Sequence, residues 1–246
     1  MTVFTDVTAL VTGANRGIGR AFVETLLEAG AKKVYATARS PEKLNDLVAN
    51  SGGRVVALPL DVTDQDQVAA LPEAVGDVSV LINNAGVAAY AGLLKADGID
   101  GARLEMETNY FGTLNMVRAL APVLARNGGG LIVNIASIAS LVSFPVLGSY
   151  SASKAAVHSL TQAIRSDLAD QKTKVFGVYP GPVDTDMAAG VEMDKIAPAD
   201  LVRNVFHDIE DGVEDIYPDP TAQELWSGLR ADPKAVEKQI GQMLPA

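Results

Sequence analysis

The chain has 246 residues, no cysteine and a formal net charge of −10, from 20 lysine and arginine residues against 30 aspartate and glutamate residues. The lack of cysteine excludes disulfides, thiolate metal sites and a cysteine nucleophile, and the acidic balance disfavours nucleic acid and anionic lipid as partners. No apolar run reaches the roughly 18 residues of a membrane helix, and the N-terminus lacks a basic segment followed by an apolar one. We therefore expect a cytoplasmic protein with no membrane partner.

Short apolar runs rich in β-branched residues alternate with longer helical patterns along the chain. We predict strands at 7–11, 33–37, 55–58, 78–82, 131–135, 174–178 and 215–217. We predict helices at 17–28, 41–49, 65–71, 104–126, 149–169 and 198–209. Most strands are apolar at successive positions, which is typical of strands buried on both faces. The sequence therefore predicts an α/β fold: one Rossmann-type domain over 1–246, with a doubly wound parallel sheet and helices on both faces.

A glycine-rich turn joins the first predicted strand to the first helix. Its residues are Thr12, Gly13, Ala14, Asn15, Arg16, Gly17, Ile18 and Gly19. Glycines at such a turn let backbone N–H groups approach a pyrophosphate at the helix N-terminus. An ordinary glycine-rich turn has the same composition, but the strand before it and the helix after it favour a dinucleotide site.

Four polar residues are candidates for chemistry. Tyr150 and Lys154 are four residues apart near the start of a helix and share one face. An ammonium beside a phenol favours the phenolate, so we expect Lys154 to lower the pKa of Tyr150. Ser137 follows the fifth strand, and Asn109 lies inside an apolar helix, where an unpaired amide is unfavourable. Each residue alone could be structural: a surface pair, a loop cap, or an amide paired with the backbone.

Taken together, these motifs resemble the short-chain dehydrogenase/reductase family, in particular its NADP-preferring carbonyl reductases. The resemblance rests on the glycine turn, the Asn-Asn-Ala-Gly run at 83–86, the four polar residues, the Ser-Ala-Ser run at 151–153 and the Pro-Gly pair at 180–181, in the family's order. It implies a nicotinamide-dependent oxidoreductase with catalytic residues Asn109, Ser137, Tyr150 and Lys154. In that scheme Tyr150 exchanges the proton, and Asn109 holds a water through which protons reach Lys154.

The resemblance also implies a cofactor site along the ends of the strands. From the glycine turn it includes Gly13, Asn15, Arg16, Gly17, Ile18 and Gly19, and beyond the turn it includes Arg39, Asp61, Val62, Asn83, Ala85, Gly86, Tyr150, Lys154, Pro180, Gly181, Val183 and Thr185. Asp61 and Val62 flank the adenine in this scheme, Lys154 holds the ribose, and the segment from Pro180 to Thr185 closes over the nicotinamide.

The end of the second strand favours NADP(H) over NAD(H). An NAD site in this fold places an acid there to hold the ribose 2′-OH, and Ala38 stands in its place. Arg39 follows, and Arg16 lies in the glycine turn, so two guanidinium groups are available for a 2′-phosphate. We expect no metal, because His158 and His207 lack the spacing of metal ligands.

The predicted substrate is a small neutral carbonyl compound or alcohol. By resemblance the pocket is lined by the segments after Gly86, Ser137 and Thr185, and residues 138–148 carry no charge. We therefore predict reversible NADPH-dependent reduction of a largely apolar ketone or aldehyde. One alternative is a reductase of 3-oxoacyl chains on an acidic acyl carrier, which the acidic chain disfavours. Another is a non-catalytic NADP-binding regulator, which the complete set of four polar residues disfavours.

Residues 218–246 form a predicted C-terminal extension. They contain two short helical patterns, 221–230 and 233–243, each with one apolar stripe. We expect the stripes to cover the edge of the seventh strand. Helices 104–126 and 149–169 would then remain for self-association, so we predict a homo-oligomer, with a dimer favoured over a tetramer. Alternatively, the tail reaches onto a neighbouring subunit and strengthens a tetramer.

Overall fold

The computed structural model describes residues 2–90 and 92–243. Within that part of the chain, seven strands form one sheet in which every neighbouring pair is parallel. The strands are β1 (Thr8–Val11), β2 (Lys33–Ala38), β3 (Val55–Pro59), β4 (Val80–Asn83), β5 (Gly130–Ile135), β6 (Thr173–Val178) and β7 (Asp215–Ile216). Their order in the sheet is β3-β2-β1-β4-β5-β6-β7. The predicted fold class is confirmed.

Helices cover both faces of this sheet. They are α1 (Gly17–Glu28), α2 (Asn45–Asn50), α3 (Gln65–Ala74), α4 (Asp100–Glu105), α5 (Gly112–Arg126), α6 (Gly148–Leu168), α7 (Pro198–Glu210), α8 (Pro220–Ala231) and α9 (Pro233–Gly241). A π-helical segment (Met106–Phe111) joins α4 to α5, and a 3-10 turn (Pro41–Leu44) leads into α2. The single helices predicted at 104–126 and 41–49 are therefore each divided.

Each face of the sheet has its own hydrophobic core. On one side Phe22 of α1 packs with Phe206 of α7, and on the other Leu120 of α5 and Ile164 of α6 belong to a second cluster. Successive strand side chains point to opposite faces, which is why both faces of these strands need apolar residues. The nearly continuous apolar runs in the sequence have this cause.

The sheet order places a crevice next to β1. Because β1 lies between β2 and β4, the chain winds towards one edge, returns, and then winds towards the other. In such sheets, ligands bind outside the carboxyl ends of the strands at the point of reversal. The glycine turn after β1 and the Asn-Asn-Ala-Gly run at the end of β4 meet at this point.

The C-terminal extension reaches the end of β7, where Trp226 of α8 stacks on Tyr217 with the ring centroids 4.9 Å apart. Its two helices pack on the loop after β5, where Ala222 and Ile240 join a buried cluster with Ile138, Ala139 and Phe144. That loop is apolar and uncharged, so it presents more apolar surface to cover than a strand of two residues. Coverage of the β7 edge by the extension and the oligomeric state both stay predictions.

Two further observations concern membranes and metals. None of the helices in residues 2–90 and 92–243 has the length and apolar character needed to span a bilayer. Over the same residues, no cluster of three or more histidine, aspartate or glutamate side chains is placed to hold a metal ion. The cytoplasmic location stays a prediction.

Candidate active site

A groove of about 1250 Å³ runs along the carboxyl ends of the strands. Its wall includes seventeen of the predicted site residues: Gly13, Asn15, Arg16, Gly17, Ile18, Arg39, Asp61, Val62, Ala85, Gly86, Ser137, Tyr150, Lys154, Pro180, Gly181, Val183 and Thr185. Three predicted residues, Gly19, Asn83 and Asn109, are not on this wall. The structure therefore brings most of the predicted set together although it spans more than 170 residues of sequence.

The glycine turn has a backbone that requires glycine. Gly13 and Gly17 have φ values of +64° and +53°, in the left-handed region that other residues rarely adopt. A Cβ at Gly17 would lie 3.0 Å from Cγ2 of Thr185, so the turn closely approaches the loop after β6. At Gly19 a Cβ would collide with the carbonyl of Gly13. Gly19 thus allows α1 to pack on the turn, and its predicted cofactor contact stays a prediction.

Two residues outside the predicted set fasten this turn to β4. The Thr12 hydroxyl accepts hydrogen bonds from the N–H groups of Asn84 and Ala85, at 2.9 and 3.0 Å. The Asn84 side chain donates to the carbonyls of Thr12 and Gly13, at 2.9 and 3.1 Å. Thr12 lies in the glycine turn and Asn84 in the Asn-Asn-Ala-Gly run, so the sequence could have identified both by their places in these motifs.

Asn83 supports the sheet instead of contacting the groove. Its side chain donates to Oδ1 of Asn134 on β5 at 2.9 Å, and Asn134 donates in turn to Thr161 at 2.9 Å. Asn83 is the last residue of β4, and its side chain is buried. Its assignment as a cofactor residue stays a prediction.

Tyr150 and Lys154 lie together on α6, as predicted. The Lys154 Nζ is 5.7 Å from the centre of the Tyr150 ring, and it donates to the carbonyl of Ile135 at 2.7 Å. Ile135 ends β5, two residues before Ser137. The strand end therefore holds the ammonium of Lys154 next to the phenol.

Burial controls the ionisation of both residues. It raises the pKa of Tyr150 well above its usual value, while the neighbouring Ser137 hydroxyl acts in the opposite direction by hydrogen bonding. It also lowers the pKa of Lys154 to about 8. The expected lowering of the Tyr150 pKa is therefore wrong for this structure, because loss of solvent is the largest effect on that pKa. Tyr150 is a neutral phenol with a proton to donate at neutral pH.

The Asn109 side chain has a positioning role. Its Oδ1 accepts from the N–H of Val87 at 2.8 Å, and its Nδ2 donates to the carbonyl of Val87 at 3.0 Å and to the Ser153 hydroxyl at 2.9 Å. The amide is thus occupied by protein partners and holds the segment after β4 against α6. The predicted water contact of Asn109 would have to use its main chain, which lies in the π-helical segment.

Glu105 is a buried carboxylate that the sequence reading missed. It is 1% exposed, and its Oε1 accepts from the N–H of Ala89 at 2.7 Å. Its Oε2 has no partner among the described residues. The sequence could have identified Glu105 by its position, because a residue four positions before Asn109 lies on the same side of a helix. Glu105 and Asn109 together fix residues 87–89.

At the other end of the groove, cations surround the end of β2. Arg39 and the unpredicted Lys43 lie on the wall, and neither has a carboxylate partner in the described part of the chain. Arg16 differs, because its guanidinium reaches across to the Asp186 carboxylate at 2.7 Å. Both partners of this pair are mostly exposed, so the pair contributes little and can open. Lys43 was identifiable as the next cation after Arg39.

The end of the groove beside Ser137 is apolar. Its wall includes Phe144, Val146, Leu147, Met187, Val191, Met193 and, from the C-terminal extension, Met243. The Tyr90 hydroxyl donates to the carbonyl of Met187, so the segments after β4 and β6 meet over this end. His158, by contrast, lies away from the groove wall and pairs with the Tyr179 hydroxyl at 2.6 Å.

Comparison with known proteins identifies the family. A family model described as short chain dehydrogenase matches residues 7–196, which is most of the chain. The chain belongs to the short-chain dehydrogenase family. This dehydrogenase is also 37% identical over 216 residues to an uncharacterized oxidoreductase of Staphylococcus aureus strain MW2, with 84% of this chain and 92% of that protein covered. It is therefore an oxidoreductase.

Two solved structures resemble this dehydrogenase over its whole length. A short-chain dehydrogenase from Burkholderia cenocepacia J2315, in complex with NADP, is 42% identical, with a TM-score of 0.92 and 100% of both chains covered. A short-chain dehydrogenase/reductase from Burkholderia phymatum, in complex with NAD, is 28% identical, with a TM-score of 0.86 and coverage of 100% of this chain and 99% of that one.

Proposed function

We propose that this dehydrogenase reversibly reduces a neutral, largely apolar ketone or aldehyde to the alcohol with NADPH. The observation that carries the proposal is the neutral, partly buried Tyr150 phenol beside Ser137 and Lys154, on the wall of a groove that is apolar at that end. This arrangement has a proton donor and a hydroxyl to orient a carbonyl oxygen, and the side chains that line the wall at that end are apolar.

The groove also fits a nicotinamide dinucleotide. Helix α1 begins after Arg16 without a side-chain cap, and Gly17 and Ile18 of its first turn lie on the wall of the groove. Its first N–H groups are thus left to a ligand, and a pyrophosphate suits them. The left-handed glycines of the turn keep the space beside it open.

The proposed chemistry divides between cofactor and protein. A bound NADPH supplies the hydride to the carbonyl carbon. Tyr150 donates its hydroxyl proton to the carbonyl oxygen, and Ser137 orients that oxygen by hydrogen bonding. Lys154 places a positive charge near the phenol oxygen and stabilises the phenolate that remains. In the oxidative direction the phenolate takes the proton back.

The preference for NADPH follows from the end of β2. Ala38 leaves no carboxylate to bind a ribose 2′-OH or to repel a 2′-phosphate. Arg39 and Lys43 supply cations on the same wall. The Burkholderia cenocepacia relative was crystallised with NADP, which agrees with this preference, whereas the Burkholderia phymatum relative was crystallised with NAD.

The experiment is a substrate panel with each cofactor. The purified protein is given apolar ketones and aldehydes, charged keto acids and a 3-oxoacyl thioester, and loss of reduced cofactor is followed by absorbance. We expect higher kcat/KM for the neutral apolar compounds and for NADPH. A clear preference for the thioester would favour the acyl-chain alternative, and no turnover of any carbonyl with intact cofactor binding would favour the regulator.

A further inference from the structure

The C-terminal extension begins with a buried carboxylate. Asp219 is 3% exposed and caps α8 by accepting a hydrogen bond from the N–H of Ala222, 2.9 Å from its Oδ1. Its Oδ2 accepts a second hydrogen bond, at 2.8 Å, from the N–H of Gly181, which lies 38 residues earlier in the loop after β6. Both carboxylate oxygens are therefore engaged by main-chain donors, and one of these donors belongs to the wall of the groove.

The peptide unit between Pro180 and Gly181 is held at both ends. Its N–H donates to Asp219, and its carbonyl oxygen accepts from the N–H of Ile138 at 3.0 Å. Ile138 directly follows Ser137, so this one peptide unit connects the tail to the candidate catalytic loop. Because the peptide is planar, hydrogen bonds at its two opposite ends fix the rotation of the whole plane.

Gly181 and Asp219 are packed so closely that a side chain at position 181 would not fit. A Cβ at Gly181 would lie 2.6 Å from Oδ1 of Asp219 and 3.0 Å from Cβ of Thr221. The turn before Asp219 is itself anchored, since the Asn204 side chain donates to the carbonyl of Pro218 at 2.8 Å. Asp219 thus holds the loop from a fixed position.

We propose that Asp219 is a positioning residue that sets the Pro180–Gly181 peptide for the nicotinamide half of the cofactor. The inference rests on the function proposed above. Capping alone does not explain the contact, because a serine would also cap α8. The carboxylate is distinguished by its second oxygen, which reaches the groove loop.

The test compares D219S with D232S. A serine at 219 can still cap α8, but it lacks the second oxygen that Gly181 needs. Asp232 caps the next helix through the N–H groups of Lys234 and Ala235, so D232S is a matched change within the same tail. Each protein is titrated by calorimetry with NADPH and with 2′-phospho-ADP-ribose, which lacks the nicotinamide. Thermal unfolding is measured alongside.

We expect D219S to bind NADPH about 10- to 100-fold more weakly than the wild type, because a buried N–H loses its charged partner. Binding of 2′-phospho-ADP-ribose should stay within about twofold, since the glycine turn and Arg39 are unchanged, and D232S should match the wild type for both ligands. D219N keeps the side-chain volume, but its one amide oxygen can accept from only one of the two N–H groups. The same two titrations with D219N therefore test the proposal if D219S fails to fold.

Equal losses for both ligands, or no loss for either, would show that Asp219 serves only the fold and would overturn the inference. A wild type that binds NADPH no better than 2′-phospho-ADP-ribose would instead contradict the proposed function, because the nicotinamide would then make no contact. The two failures are therefore distinct.

Discussion

The burial of Lys154 predicts a specific dependence of stability on pH. Its folded pKa is about 8, lowered by burial from the usual lysine value of 10.5. Between those two values the unfolded chain binds the proton more tightly than the folded chain. The free energy of unfolding therefore rises with pH across this window, and below about pH 8 the full penalty of burying the ammonium applies.

The magnitude follows from the two pKa values. From pH 7.5 to 9.5, linkage gives a gain of about 2 kcal/mol from this one side chain. Lys154→Met keeps the length and apolar stem of the side chain and removes the titration, so it is the reference protein. The contributions of all other titratable groups to the pH dependence of stability are the same in the two proteins, as long as the substitution leaves their pKa values unchanged.

The assay is urea unfolding of the wild type and of Lys154→Met at several pH values between about 7.5 and 9.5. We expect the stability difference between them to narrow by about 2 kcal/mol as the pH rises, with Lys154→Met the more stable at the lower end. Parallel curves would refute the reasoning, because they would mean that Lys154 keeps an ordinary pKa and that the folded site does not desolvate it.

Other changes test the site and its surroundings. Tyr150→Phe should lower turnover about 10²- to 10⁴-fold with little effect on NADPH affinity, and turnover within threefold of the wild type would exclude Tyr150 as the proton donor. Ala38→Asp combined with Arg39→Leu should reverse the NADPH preference in kcat/KM, since the new carboxylate repels a 2′-phosphate; a wild type that already favours NADH would contradict this. A chain ending at Asp232 loses α9 and Met243, so the KM for apolar carbonyls should rise while NADPH affinity holds, and an unchanged KM would remove the tail from the substrate wall. Light scattering should give a dimer, and a tetramer that dissociates on truncation after 218 would show an exchanged tail.

The sequence predicts the fold and most of the residues that line the groove, because both depend on local patterns. A strand buried on two faces is an uninterrupted apolar run, so each predicted strand overlaps an observed one. The turn at Gly13 and Gly17 needs residues that tolerate positive φ, and such positions are visible one residue at a time. Because the carboxyl ends of parallel strands share one edge, motifs that follow different strands must meet there.

The misses concern partners that are distant in sequence. Spacing places Lys154 beside Tyr150 but says nothing about solvent, and burial reverses the expected direction of the Tyr150 pKa. In the same way, Arg16 meets Asp186, which is 170 residues away. Asn109 pairs with a backbone segment 22 residues earlier. Such contacts depend on how the loops after several strands fold over the groove, which no local pattern encodes.

The tail shows how one such distant contact bears on function. Its apolar stripes are readable from the sequence, but any apolar surface could receive them. In the structure they pack on Ile138, Ala139 and Phe144, the loop that follows Ser137, while Asp219 holds Gly181 in the loop after β6. The extension therefore supports two segments of the groove wall, the loop after β5 and the loop after β6. A substitution that loosens α9 should alter substrate binding, and one that displaces Asp219 at the start of α8 should alter nicotinamide binding. Both effects should appear before the sheet unfolds, because the two sheet cores contain no residue of the extension.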